Sequence, residues 1–378
     1  MKKIRTRRIR SGIALLLILI VAAGCGKKAE EDTQAATEAE TTPAPPATLA
    51  PAATQAETEP ETEAEAGPEG MVQSFLTGKW VPEEIGRRRP VAVMVSNVLA
   101  AQPTYGLSHA DVVYETPGEA SAVRFVAIFE QYDDIKEIGS IRSARTYHAF
   151  IQEEFESIFF HYGQAAYAVP YLEGGECECV NGVTGASEWA YHSMDDRTPP
   201  HHHFTNSEEI KYAIERLGYS TEYPEKYLQN GHYKFLEEGE APHMPGASPA
   251  NKVTVGYVSN KPWFEYNPED GLYYRYQFEK PHVDVGNDDV QLAYDNIIIQ
   301  VCNYEHYDNT DYLNIDMHSG GPGQFITGGQ VIPVTWEKDG TWGVTRYYDQ
   351  EGNEIRLKQG RTWVCIVRTE RANRVEIE

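Results

Sequence analysis

From Gly26 to Gly70 the chain runs for 45 residues without one aromatic side chain, setting two lysines against eleven carboxylates among repeated Thr, Ala and Pro. Such a stretch buries too little apolar surface to offset the entropy of ordering it, so it is expected to stay disordered and act as a linker. Any folded core must come from the residues beyond Gly70. Residues 71–378 exceed one typical domain. The expected layout is a leader over 1–24, a linker over 25–70, a mixed α/β domain over 71–245 and a β-rich domain over 246–378. The fold class expected is therefore α+β, with a barrel- or sandwich-like C-terminal part.

Upstream of the linker, basic residues from Lys2 to Arg10 precede an apolar run, Ile13 to Val21, and then Ala22-Ala23-Gly24-Cys25. The run is shorter than the roughly 20 residues of a spanning helix and has the order of a signal peptide. Small residues directly before a cysteine resemble the lipobox of bacterial lipoproteins. That resemblance implies loss of residues 1–24, lipidation of Cys25 by palmitate-type chains, and attachment to the lipid bilayer at the extracytoplasmic face of the cell membrane. A flexible linker of this length would let the folded part roam roughly 35–40 Å from the lipid.

Of the net charge of −24, the leader contributes +6 and the linker −9, which leaves −21 on residues 71–378. A body this acidic argues against a nucleic-acid partner. Beyond Cys25 there are four cysteines. Cys177 and Cys179 are too close in sequence for an easy mutual bridge, and Cys302 and Cys365 sit in apolar strand-like runs where a buried free thiol is expected.

Apolar β-branched runs predict strands at Val91–Val95, Asp111–Tyr114, Arg124–Phe129 and Ile138–Ile141, followed by a helix from Thr146 to about Ile158. Thr205-x-x-Glu208 has the form of a capping box. It opens a helix whose stripe is Ile210, Ala213, Ile214 and Leu217 and whose C-terminal cap is Gly218. Beyond Lys252 the pattern turns to short strands and hairpin turns, among them Ile297–Cys302, Gln330–Trp336 and Trp363–Val367. The glycine-rich run His318–Gly323 reads as a tight turn between two of them.

Against this acidic background, arginines gather between Gly86 and Arg145. Arg142-Ser143-Ala144-Arg145 follows an apolar run and precedes a helical pattern, and a strand-to-helix junction already favours an anion. Arg124, Arg142 and Arg145, with the Ser143 hydroxyl, are therefore the candidate binders of phosphate or carboxylate. The same arginines could instead pair with Asp111, Glu115, Glu119 or Glu130. His161, in an apolar run, and His201, in a loop after Pro199-Pro200, are candidate polar or proton-transfer partners. Three consecutive histidines on an extended chain cannot all face one ion, and no H-E-x-x-H occurs, so no metal site is assigned. Dinucleotide, phosphate-loop and nucleophile-elbow signatures are absent, and no cofactor is expected.

Pro90–Asn97, Gly106–Glu115, Arg124–Phe129, Ile138–Arg145 and His161-Tyr162-Gly163, with Asp295–Ile299, Gly321, Gly323, Gly328, Trp336 and Gly360–Trp363, resemble the YerB-like lipoproteins of Gram-positive bacteria. One departure is His202, where that family has Asn after Pro-His. The resemblance implies a two-domain extracytoplasmic lipoprotein and picks out Glu115, Arg124, Arg142, Arg145, His161 and His201 as site positions. It implies no reaction. Two functions are expected on this basis. One is a binding or scaffold module of the cell envelope that captures an anionic small molecule or envelope polymer, or a protein partner. The other is an envelope enzyme acting on polyprenyl-phosphate or glycan substrates, by analogy with the LytR-CpsA-Psr phosphotransferases.

Overall fold

The computed structural model describes residues 67–378. The leader, Cys25 and the linker up to residue 66 lie outside the described residues. No described helix is long and apolar enough to cross a membrane.

One mixed sheet of eleven strands organises the fold. Its strands are β1 (Val91–Ser96), β2 (Val112–Pro117), β3 (Val123–Phe129), β4 (Ile158–His161), β5 (Cys179–Asn181), β6 (Ser248–Pro249), β7 (Asn296–Cys302), β8 (Gly321–Thr327), β9 (Gln330–Lys338), β10 (Thr345–Tyr348) and β11 (Thr362–Arg368). Their order is β6-β9-β8-β7-β11-β2-β3-β1-β4-β5, with β10 also on β9. β11 lies parallel to β2, Trp363 against Val113 and Cys365 against Glu115, so strands from the two halves of the chain share a single sheet.

The central strands are buried on both faces, which explains their unbroken apolar runs. In β1, Val91, Val93 and Val95 enter one core cluster while Ala92 and Met94 enter the other. β11 divides in the same way: Trp363, Cys365 and Val367 against Val364 and Ile366. On the first face lies a second sheet of six short strands between Lys252 and Ile377, whose Val253, Phe264 and Tyr273 pack into the shared core. This is the sandwich-like, β-rich C-terminal region. On the second face lies helix α1 (Thr146–Glu153), through Tyr147, Ala149, Phe150 and Ile151.

Helix α1 stops at Glu153, short of the expected end near Ile158, because Ile158 instead opens β4 alongside β1. Helix α2 (Ser207–Leu217) is capped by Asn206, whose side chain accepts the Glu209 N–H at 2.9 Å. The expected capping residue, Thr205, has its hydroxyl donating to Ala190 O. Ile210, Ala213 and Ile214 are buried as expected, Leu217 is exposed, and Gly218 ends the helix at φ 69°. Gly321 and Gly323 belong to β8 rather than to a turn. A Cβ on Gly323 would come within 2.6 Å of Ile299 O.

Candidate functional site

The segment from Ser140 to Arg145 threads between the C-terminal ends of β1 and β4. Arg142 N–H donates to Met94 O, Tyr162 N–H to Arg142 O, and Ala144 N–H to Gly163 O. These backbone bonds fix where Arg142 and Arg145 emerge. Arg124 arrives from the start of β3, paired with Thr116 on β2. The loop joining β2 to β3 carries Glu119 across both arginines.

Glu119 holds Arg145 through two bonds, Nε to Oε1 at 2.6 Å and Nη2 to Oε2 at 2.7 Å, and receives Arg124 Nη1 at 3.3 Å. Burial opposes its charge, but the bonds and charge of Arg145, together with Arg124, hold its carboxyl below the ordinary value. Arg145 Nη1 also donates to Ser143 O and Ala144 O, so this guanidinium is largely committed to the fold. Arg142 differs. It is half-buried, and its guanidinium donates to a backbone oxygen, Pro200 O at 2.8 Å. Burial and the charges of Arg124 and Arg145 lower its pKa, as expected where cations crowd without enough anions. Two guanidiniums thus share one carboxylate, and the third, Arg142, crowds them without one.

Ser143 lies beside them, its hydroxyl donating to Tyr162 O at 3.1 Å. His201 sits on the loop that Arg142 touches. Its Nδ1 is buried without a partner, and burial, Arg142, Arg197 and His202 all lower its pKa. His203, two residues on and stacked on Tyr162 with 3.4 Å between ring centroids, is pushed down to about 4 by burial, His202 and Arg142. His203 therefore stands beside Arg142 as a neutral imidazole at pH 7.

Glu115 does not join this group. In β2 it neighbours Thr116, and alternation along a strand turns the two to opposite faces. Its carboxylate is buried among Arg275 Nη2 at 2.8 and 3.0 Å, Asn260 Nδ2 at 2.8 Å and Trp363 Nε1 at 3.0 Å. That is a core ion pair, remote from solvent. His161 is fully buried on β4, with Nδ1 bonded to Gly163 O at 2.9 Å. The other acids offered by the sequence are spent elsewhere. Asp111 Oδ2 accepts the Glu130 N–H, and burial with the nearby charge of Asp111 pushes Glu130 up to about 8.

Sequence reasoning missed His148. Its Nδ1 accepts the Arg145 N–H and its Nε2 meets Thr116 Oγ1, joining α1 to the hairpin that carries Glu119. Its i+3 spacing from Arg145 is the one signal that marks it. Cys177, Cys179, Cys302 and Cys365 are all free thiols. His243, Asp349 and Glu351 bring donor atoms within 4.8 Å of one another at the surface. Asp349 there already accepts the N–H groups of Glu351 and Asn353, so the group serves a turn.

Two family models match: "Protein of unknown function (DUF3048) N-terminal domain" over residues 76–220, and the corresponding C-terminal domain over residues 253–364. The arginine cluster and Glu119 fall in the first. A curated relative, "Putative lipoprotein YerB" of Bacillus subtilis, is 30% identical over 315 residues, 77% of this chain and 85% of that protein. The crystal structure of the Bacillus subtilis YerB protein is similar with a TM-score of 0.70 at 28% identity, covering 81% of this chain and 99% of that one.

Proposed function

This chain belongs to the DUF3048 family, and from that premise we propose that it is a lipoprotein of the cell envelope, anchored through acylated Cys25, whose folded part binds an anion. The lipid anchor holds residues 71–378 on the extracytoplasmic side, with the acidic linker as a leash. The ligand group is a phosphate or carboxylate of a small molecule or envelope polymer, gripped by Arg142 and Arg124 beside Ser143. The observation that carries this reading is the charge imbalance: three guanidiniums and one carboxylate, on a chain of net charge −24. Such a surplus is costly unless an anion completes it.

The test is equilibrium binding of inorganic pyrophosphate to the wild type and to Arg142→Ala. Because the Arg142 side chain contributes one backbone-directed bond to the fold, its loss should weaken binding at least about tenfold while the melting temperature stays within about 1 °C. Equal affinity in the two proteins refutes the site.

A further inference from the structure

β4 and β5 run parallel, with Phe159 opposite Cys179 and His161 opposite Asn181. Paired residues of a parallel ladder share a face, so the His161 and Cys179 side chains project from the same side, two residues apart along the strands. His161 Nδ1 lies 2.9 Å from Gly163 O. A carbonyl only accepts, so Nδ1 carries the hydrogen and the basic nitrogen of the neutral ring is Nε2. That Nε2 is buried and makes no hydrogen bond, in a residue with no exposed surface. A core histidine kept for structure alone would be expected to satisfy both nitrogens.

The thiols divide sharply. Cys302 and Cys365 are fully buried in the apolar cores of β7 and β11. Cys179 is only partly buried and, with Cys177, Gln164, Glu173, Asn181 and Tyr219, lines a surface cavity of about 370 Å³. The neighbouring Cys177 thiol, helped by His161 and opposed by burial and by Glu173, draws the Cys179 thiol down to about 6. Tyr191 and Tyr219 also face it; the Tyr191 hydroxyl is bonded to Val180 O and the Tyr219 hydroxyl to Cys179 O.

We propose that Cys179 is a reactive nucleophile toward disulfides, with His161, on the same face of the ladder, as the base that takes its proton and Cys177, on the same cavity wall, as the neighbouring thiol that steadies the thiolate. The thiolate attacks one sulfur of R–S–S–R′. As the Cys179 Sγ–S bond forms, the S–S bond breaks, and R′S⁻ leaves and takes up the proton to give R′SH. Cys179 ends as a mixed disulfide with R and R′ ends reduced, so no outside oxidant is needed. The second thiol favours sulfur exchange over acyl transfer, which has no use for one. The assignment is independent of the arginine cluster.

The test uses the full-length chain and 4,4′-dithiodipyridine as the disulfide, with mass spectrometry assigning each labelled cysteine, Cys25 included. Cys179 should label at least about a hundredfold faster than Cys302 and Cys365, with a half-maximal rate near pH 6. His161→Gln and Cys177→Ala should each move that midpoint upward and slow labelling at pH 6.5 about tenfold, with folding checked by thermal melting. The wild-type pH profile stands even if a variant does not fold. Labelling of Cys179 no faster than Cys302, a wild-type midpoint at the ordinary thiol value of about 8.5, or an unchanged midpoint in folded His161→Gln overturns the proposal.

Discussion

Replacing Glu119 by Gln should destabilise the protein and, at the same time, make its stability more responsive to added anions. The carboxylate receives three charge-assisted bonds, at 2.6, 2.7 and 3.3 Å, from arginines whose side chains are 9% and 10% exposed, and is itself 16% exposed. Exposed pairs contribute about 0–1 kcal/mol and breaking a fully buried one costs about 3–5 kcal/mol. This arrangement lies between, so the loss should be about 2–3 kcal/mol, or a fall of about 4–6 °C in melting temperature. Gln keeps the shape, yet its amide places a donor or a weak dipole where two cations need an anion. Phosphate at tenfold its dissociation constant should restore about 1.4 kcal/mol by mass action, and should stabilise the variant more than the wild type. Melting curves at neutral pH and low salt, with and without phosphate, read both effects. A loss below about 0.5 kcal/mol, or equal stabilisation of both proteins by phosphate, refutes this role for Glu119. The sign in pH comes from the same bonds. Glu119 has its pKa depressed in the native state, so its contribution is present above the unfolded value of about 4.5 and is lost as pH falls through the native one.

Glu115→Gln should cost about 3–5 kcal/mol in chemical denaturation by leaving Arg275 charged and buried without its partner. Pyrophosphate affinity should be unchanged, and a loss under about 1 kcal/mol would show the pair is not a core element. Glu130 has a native pKa of about 8 against about 4.5 unfolded. The native state therefore holds an extra proton between those values, and stability should fall as pH rises through that window, by up to about 4 kcal/mol. Glu130→Gln should flatten the profile measured by denaturation from pH 5 to 9, whereas parallel profiles would disprove the assignment.

Strands buried on both faces announce themselves locally, and β1, β3, β7 and β11 are legible in the sequence because nearly every residue there is buried. The helix end at Gly218 is legible for a different reason, since only a residue tolerant of φ 69° closes the helix that way. Placement of the site residues was half legible. Arg124, Arg142, Arg145 and Ser143 do gather, because a short segment and a strand start are pinned by backbone bonds. Glu115 goes to the other face through a parity of one residue, which requires knowing which face of β2 meets the second sheet. Asn206 displaces Thr205 as cap because Thr205 still belongs to a strand over His203–Thr205. The partnership of Glu119 depends on how a loop folds back, and the placing of His161 and Cys179 on one face depends on the parallel register of β4 and β5. Both are tertiary facts with no local periodicity to reveal them.

The proposed anion site is tested most directly by locating an anion in the molecule. Crystals soaked in tungstate, a heavy phosphate mimic, should show an anomalous peak within hydrogen-bonding reach of Arg142 and Arg124 beside Ser143. The peak should vanish in Arg142→Ala crystals soaked alike. Strong peaks elsewhere on the protein with none between those two arginines would contradict the account.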